Sequence, residues 1–433
     1  MVIYVLLITM IFLTCFIYKY AKQSIISPAI AFMLPFCIAI LWLTFNISRW
    51  SVELNWNTYF VIIGGTISLL TGIFTAYFFN HKNENTNTKI TAQNIPNSSL
   101  ILFTILELIS MFLCFIAIIH VAESYGYGGD ISNKIYGYRC LSVYTTNNIS
   151  LGEINDWLYA FNVASGYIWA YLIIKQLHSK AKQNPILWLN FFISLLTALM
   201  KGGRQSAVQI IISAIVMYLL FYLIKNNKYK INIKKIFPIL LLIILIGFAF
   251  QSVGSFLGRT VQADMFQYVS VYLSGGIQNL NNYLSFDHDT PVIFGKMTFI
   301  FLINYLGKKF GMSDWVYPLD LPYQTANGLN TGNIYTTFYA YIYDFGYIGI
   351  IILPFIIGFV SEIIYIKAKN TNLNNEKINL SIILYSYIFY TLAFSFFSNK
   401  FFEGTCTPTF IKYVIIWLLL KYIIQKMSVK QTN

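Results

Sequence analysis

Apolar runs long enough to cross a bilayer recur from one end of the chain to the other, separated by short polar stretches. Eleven of them are predicted to be transmembrane helices, at roughly residues 2–18, 28–47, 58–79, 98–121, 157–177, 185–200, 206–224, 237–252, 336–360, 378–398 and 409–425. The first run has no basic residues ahead of it and no small-residue cleavage pattern behind it, so it reads as a retained helix and not a removed targeting peptide. The predicted architecture is an all-α integral membrane protein forming a single polytopic domain over residues 1–433.

Two connections are long, residues 122–156 and 253–335, and loops of that size are more often functional than passive. Within the second, VIFGKMTFIFLINYL (residues 292–306) is apolar but only 15 residues long and carries Lys296. That length predicts an interfacial or re-entrant helix, because a twelfth span would move every later loop, the basic C-terminal tail included, to the other side.

Composition agrees with the pattern: 57% of the 433 residues are hydrophobic and 10% are charged. The net charge of +13 is informative through its distribution. With the N-terminus outside and the C-terminus inside, the cytoplasmic segments hold a large basic excess while the external segments balance. The basic balance is therefore a topology signal that places the chain in a lipid bilayer, and nucleic acid loses its support as a partner. One detail goes beyond topology. The arginines are Arg49, Arg139, Arg204 and Arg259, and every one falls on the outside. A planar fork that grips phosphate oxygens bidentately is peculiar to arginine. Of the five cysteines, Cys15, Cys37 and Cys114 lie inside predicted spans, which argues against a disulfide scaffold and leaves only Cys140 and Cys406 facing outward.

The chemistry gathers at the outer face. KGGRQSA (residues 201–207) joins the sixth and seventh spans. Gly202 and Gly203 permit a tight turn with unshielded N–H groups, and Lys201 and Arg204 add positive charge beside a helix start, which makes an anion site. The plainer alternative is a glycine hairpin whose cations snorkel to lipid phosphates. Arg259, in GSFLGRT, stands in the same relation to the eighth span, and two such sites suit the two phosphates of a diphosphate lipid. The first long loop carries Tyr125, Tyr127, Tyr136, Tyr138 and Tyr144, whose flat faces and hydroxyls suit sugar rings. An aromatic belt at the membrane interface explains them equally.

Asp344 sits about 12 Å along the ninth predicted span, where an acid is costly unless it is paired, faces water, or the helix unwinds, here at Gly346. A buried acid bonded to tyrosines for packing is the competing explanation. Candidates for a general base are Asp264, Asp344, Glu123 and His120, which the sequence does not separate. FDHDT (residues 286–290) contains a DxD-like pair of a kind that is common in polar loops and is a weak metal signal. Glu107, within a span, reads as a relay position or as an acid paired with a neighbouring helix.

TGNIYTTFYAYIYDFGYIG (residues 331–349) resembles the signature of the Wzy-type O-antigen and oligosaccharide repeat-unit polymerases, with Asn333, Tyr335, Thr336, Phe338, Asp344, Phe345, Gly346 and Gly349 at the motif positions. YLSGGIQNLNNYL (residues 272–284), FGKMTF (residues 294–299) and KGGRQSA are similar to further blocks of that family. Gln205 stands where the family often has a small residue. The resemblance implies a GT-C-like glycosyltransferase that moves a growing chain from undecaprenyl diphosphate, a polyprenyl carrier, onto a second lipid-linked repeat unit at the outer face of the bacterial inner membrane.

By the same resemblance Arg204 and Arg259 form the catalytic clamp, with Arg139 as a helper; Asp344 is added as a catalytic candidate, and Lys201, Gly202, Gly203, Asn333, Tyr335, Tyr136 and Tyr138 as candidate substrate-binding residues. No metal or other cofactor is implied, since arginines hold the diphosphate, and the family adds a chain-length regulator and a flippase as partners. A flippase for the same lipid-linked sugars predicts charges lining several spans, whereas only Glu107 and Asp344 lie within them. An O-antigen ligase shares the donor and is the third reading.

Overall fold

The computed structural model describes residues 1–21, 23–80, 90–146, 149–226, 254, 264–286, 294–374 and 377–429. Helices occupy the apolar runs with nearly the predicted bounds: Val2–Tyr20, Pro28–Thr44, Trp56–Asn80, Asn97–Ser124, Glu153–Ser179, Pro185–Leu199, Gln205–Asn226, Thr337–Lys369, Leu380–Ala393 and Pro408–Val429. The run at 237–252, Arg259 and the DxD-like pair lie outside the described residues.

Six of these helices are long and apolar enough to cross a membrane by length and composition, and three shorter ones, Pro28–Thr44, Pro185–Leu199 and Leu380–Ala393, are apolar as well. The chain is an all-helical, multi-pass membrane protein. Among the described residues the strands are Gln324–Ala326 and Leu329–Gly332, a small antiparallel hairpin.

Two local features differ from expectation. The first long loop contains a 14-residue helix, Ile131–Tyr144, started by Asp130, whose carboxylate accepts the Asn133 N–H at 3.1 Å. In the second loop the helix covers Ile300–Phe310, because Phe294–Phe299 form turns around Gly295, which has φ +82°.

The chain folds into two compact units. The first comprises Met1–Asn83, Gln262–Ile366 and Ile388–Thr407. Inside it, Trp56–Asn80 crosses Thr337–Lys369 with backbone touching backbone: a Cβ added at Gly72 would lie 2.1 Å from the Phe355 carbonyl oxygen, and one at Gly358 would lie 2.1 Å from that of Leu69. The Ser68 hydroxyl donates to the Ile351 carbonyl at the same crossing. Lipid supplies no hydrophobic drive between helices, so close approach through small residues is what holds such a pair together.

The second unit comprises Glu84–Val261, Lys367–Tyr387 and Pro408–Asn433. Its centre is Glu153–Ser179, which packs against Asn97–Ser124, Pro185–Leu199, Gln205–Asn226 and Pro408–Val429. Glu107 is fully buried there, accepting the Ser165 hydroxyl at 2.5 Å and the Trp169 indole N–H at 2.6 Å. The acid therefore serves as a hydrogen-bonded link between two neighbouring helices.

Candidate functional site

In the second unit, the turn between Pro185–Leu199 and Gln205–Asn226 carries Lys201, Gly202, Gly203 and Arg204. Gly202 has φ +71°, a conformation that side chains rarely adopt. The helix Ile131–Tyr144 lies directly on this turn. A Cβ at Gly202 would stand 3.0 Å from Arg139 Cβ and 3.1 Å from the Ile135 carbonyl, and one at Gly203 would stand 3.3 Å from Arg139 Nη1. Arg204 is 5% exposed, and its Nη1 lies 2.6 Å from where a Cβ on Gly254 would sit. Lys201 pairs with Asp156 at 3.2 Å and has its ammonium 4.1 Å from the centre of the Tyr159 ring.

Arg139, from a distant helix, thus lies against the two glycines of the turn that carries Lys201 and Arg204, while the Arg204 guanidinium lies beside Gly254. Asp156 and Tyr159 were missed in the sequence; their spacing of three on a helix, which puts both on one face, was the available signal.

The tyrosines divide. Tyr138 is buried in an apolar cluster with Ile118, Ala122 and Leu151, and burial pushes its phenol well above the usual range. Its role in the fold is packing. Tyr136 is half-buried, and a hydrogen bond with the Cys140 thiol pushes its phenol up. All five cysteines are free, Cys140 and Cys406 included.

In the first unit, the motif blocks bind one another. Asp344 accepts the backbone N–H of Met297 at 3.0 Å and of Thr298 at 2.5 Å, one on each carboxylate oxygen, so backbone amides and not tyrosines are its partners. Two residues on, the helix breaks at Gly346, with φ +60° and ψ −155°. Phe294 meets Phe345 edge to face at 4.5 Å. The FGKMTF turn is therefore docked on the Asp-Phe-Gly break.

Upstream, the Asn279 amide donates to the carbonyls of Gly332 at 3.1 Å and Ile334 at 2.8 Å, and its oxygen accepts the Thr331 hydroxyl at 2.6 Å. Tyr335 is 3% exposed, stacks on Tyr339 at 4.3 Å and donates its hydroxyl to the Pro322 carbonyl at 3.1 Å. Asn333 is half-buried at the turn between hairpin and helix.

Residues 1–427 match the family model described as O-antigen polysaccharide polymerase Wzy. The chain belongs to that family. No curated protein and no solved structure matches it. Wzy proteins are polymerases that act on lipid-linked oligosaccharide repeat units in a membrane.

For such a polymerase the described acids are largely committed to other partners. Asp264 caps a short helix, accepting the Gln267 N–H at 2.5 Å, and pairs with Arg49 at 2.9 Å; the N–H first, and the guanidinium after it, hold its carboxyl below the usual carboxylate range. Glu123 pairs with Lys134 at 2.5 Å. His120 is exposed near the end of Asn97–Ser124. Among the described residues no three His, Cys, Asp or Glu side chains converge as a metal site would require.

Proposed function

We propose that the protein is the glycosyltransferase that polymerises undecaprenyl-diphosphate-linked repeat units into O-antigen or a similar surface polysaccharide at the outer face of the inner membrane. In this reading all eleven apolar runs are spans of a GT-C-type fold, with the N-terminus outside and the C-terminus cytoplasmic. The glycine turn and both long loops then face outward. A flippase supplies the lipid-linked units, and a chain-length regulator acts alongside.

The observation that carries the reading is the placing of Arg139 against Gly202 and Gly203, in the turn that ends in the nearly buried Arg204. In the reaction, the bond between the donor sugar's anomeric carbon and the diphosphate oxygen breaks with its electron pair going to the diphosphate. The acceptor hydroxyl forms the new glycosidic bond and its proton passes to solvent. Negative charge develops on the leaving diphosphate, and donors fixed around that position lower the barrier most. Arg204 is nearly buried, so its charge acts in a low-dielectric setting where it is worth more than in water. Arg259, five residues beyond Gly254, supplies a second fork to the same diphosphate. Lys201 shares its charge with Asp156 and orients the turn. Asp344 has both oxygens taken by backbone amides, so its part is to fix the FGKMTF turn.

The test is the size distribution of surface polysaccharide on a gel, from cells with the gene, without it, and with Arg204→Lys or Arg204→Ala. The proposal expects single repeat units on the acceptor and no ladder when the gene is lost, and a severe loss of ladder with Arg204→Lys, which keeps charge and loses the fork. Accumulation of lipid-linked units on the inner side would make the protein a flippase instead. A full ladder with Arg204→Lys would remove the clamp.

A further inference from the structure

The first unit holds a pocket of about 330 Å³ between the FGKMTF turn and the segment Tyr317–Tyr323. Resting on the polymerase reading, we propose that this pocket binds one sugar of the oligosaccharide repeat unit and so helps select which unit is polymerised. Three observations carry it.

The walls are held rigidly from outside. Asn304 grips Tyr317 twice, donating to its carbonyl at 2.8 Å and accepting its N–H at 2.9 Å, and Tyr335 holds the Pro322 carbonyl at 3.1 Å. The opposite wall is fixed by Asp344 through the amides of Met297 and Thr298. Binding groups on supports of this kind need little ordering when a ligand arrives.

The lining carries both signs of hydrogen-bonding capacity. Lys296 presents an ammonium, 3.9 Å from the centre of the Tyr317 ring, and Asp320 presents a carboxylate. Among the described residues neither comes within 4 Å of an opposite charge, although Lys296 also acts electrostatically on Asp344. The ammonium has donors left over, and the carboxylate is an acceptor for hydroxyls. Vicinal sugar hydroxyls, each both donor and acceptor, meet such a pair at once.

The third feature is the aromatic rim. Tyr323 is 58% exposed at the pocket edge, where a ring face suits the C–H face of a pyranose. A volume near the small end of ligand sites fits a single sugar better than a whole repeat unit.

The test uses the full-length protein in detergent, with the free oligosaccharide repeat unit, released by mild acid from the lipid-diphosphate-linked units of the same cells, as the probe. Binding by titration calorimetry is expected to weaken about tenfold for Asp320→Asn and for Tyr323→Ala, and to persist for Tyr323→Phe, with unchanged melting. Tyr323 is exposed enough for its loss to spare the fold. Binding to the wild type with equal affinity for all three variants, or no binding to the wild type, overturns the proposal. The gel ladder reports separately on the polymerase reading: if deleting the gene leaves the ladder intact, that reading fails whatever the calorimetry gives.

Discussion

Asp344 accepts the backbone N–H of Thr298 at 2.5 Å across 46 residues of sequence, and its second oxygen takes Met297. An acid within an apolar helix thereby becomes the fastening point for the turn Phe294–Phe299. Replacement by Asn leaves one acceptor oxygen and turns an amide N–H₂ toward a backbone N–H. A loss of about 1–3 kcal/mol in stability is expected. The melting midpoint of the detergent-solubilised Asp344→Asn protein checks it, against Asn333→Ala as a half-buried neighbour with a small effect.

Gly346 separates two kinds of glycine. Its φ of +60° with ψ −155° belongs to glycine alone, although a Cβ there would meet nothing within 4 Å. Gly346→Ala is therefore expected to cost about 1–3 kcal/mol through conformation. Gly64 also has open space around a Cβ but lies within the regular helix Trp56–Asn80. Gly64→Ala should be neutral or stabilise by up to about 1 kcal/mol. Equal melting shifts for the two variants would contradict the distinction.

Gly254→Ala tests the seat of Arg204. The added methyl would fall 2.6 Å from Nη1, at the far end of a flexible side chain, so the guanidinium must shift. Misplacing a clamp by about 1 Å costs on the order of 10²-fold in rate. The expected result is a ladder nearly as short as that of Arg204→Ala with an unchanged melting midpoint. A normal ladder would mean that Arg204 does not need this position.

Asp264 gives a prediction in pH. Its folded carboxyl is held below the ordinary value of 3.8, so its stabilisation is fully present above that value and is lost only as pH falls through the lower, folded one. Between pH 5 and 8 it stays ionised and contributes no titration. Asp264→Asn is expected to leave the acid limb of a pH–rate profile of polymerisation unmoved; a shifted limb would restore Asp264 as a proton acceptor.

The helices were legible because a bilayer leaves little choice: an apolar run of sufficient length must satisfy its backbone internally. The helix Ile131–Tyr144 was not legible, since its residues are mixed in polarity, Gly137 interrupts them, and its position depends on the distant turn at Gly202. The approach of Arg139 to the turn that carries Arg204 was hidden for the same reason. Lys201 and Arg204 were readable from one loop, but what each touches comes from Asp156, Tyr159 and Gly254, tens of residues away. Asp344 stood out by its depth, yet backbone amides carry no side-chain signature, so its partners were invisible.

Each unit is assembled from three separated stretches of chain, and the last stretch of each begins beyond residue 387. During synthesis, therefore, neither unit is complete until the chain has been made past residue 387. The early helices must wait in the membrane, half-partnered, for Ile388–Thr407 in one case and Pro408–Asn433 in the other. A chain cut short before residue 388 would therefore leave both units without their closing stretch, and no truncation from that end would remove one unit entirely while sparing the other whole.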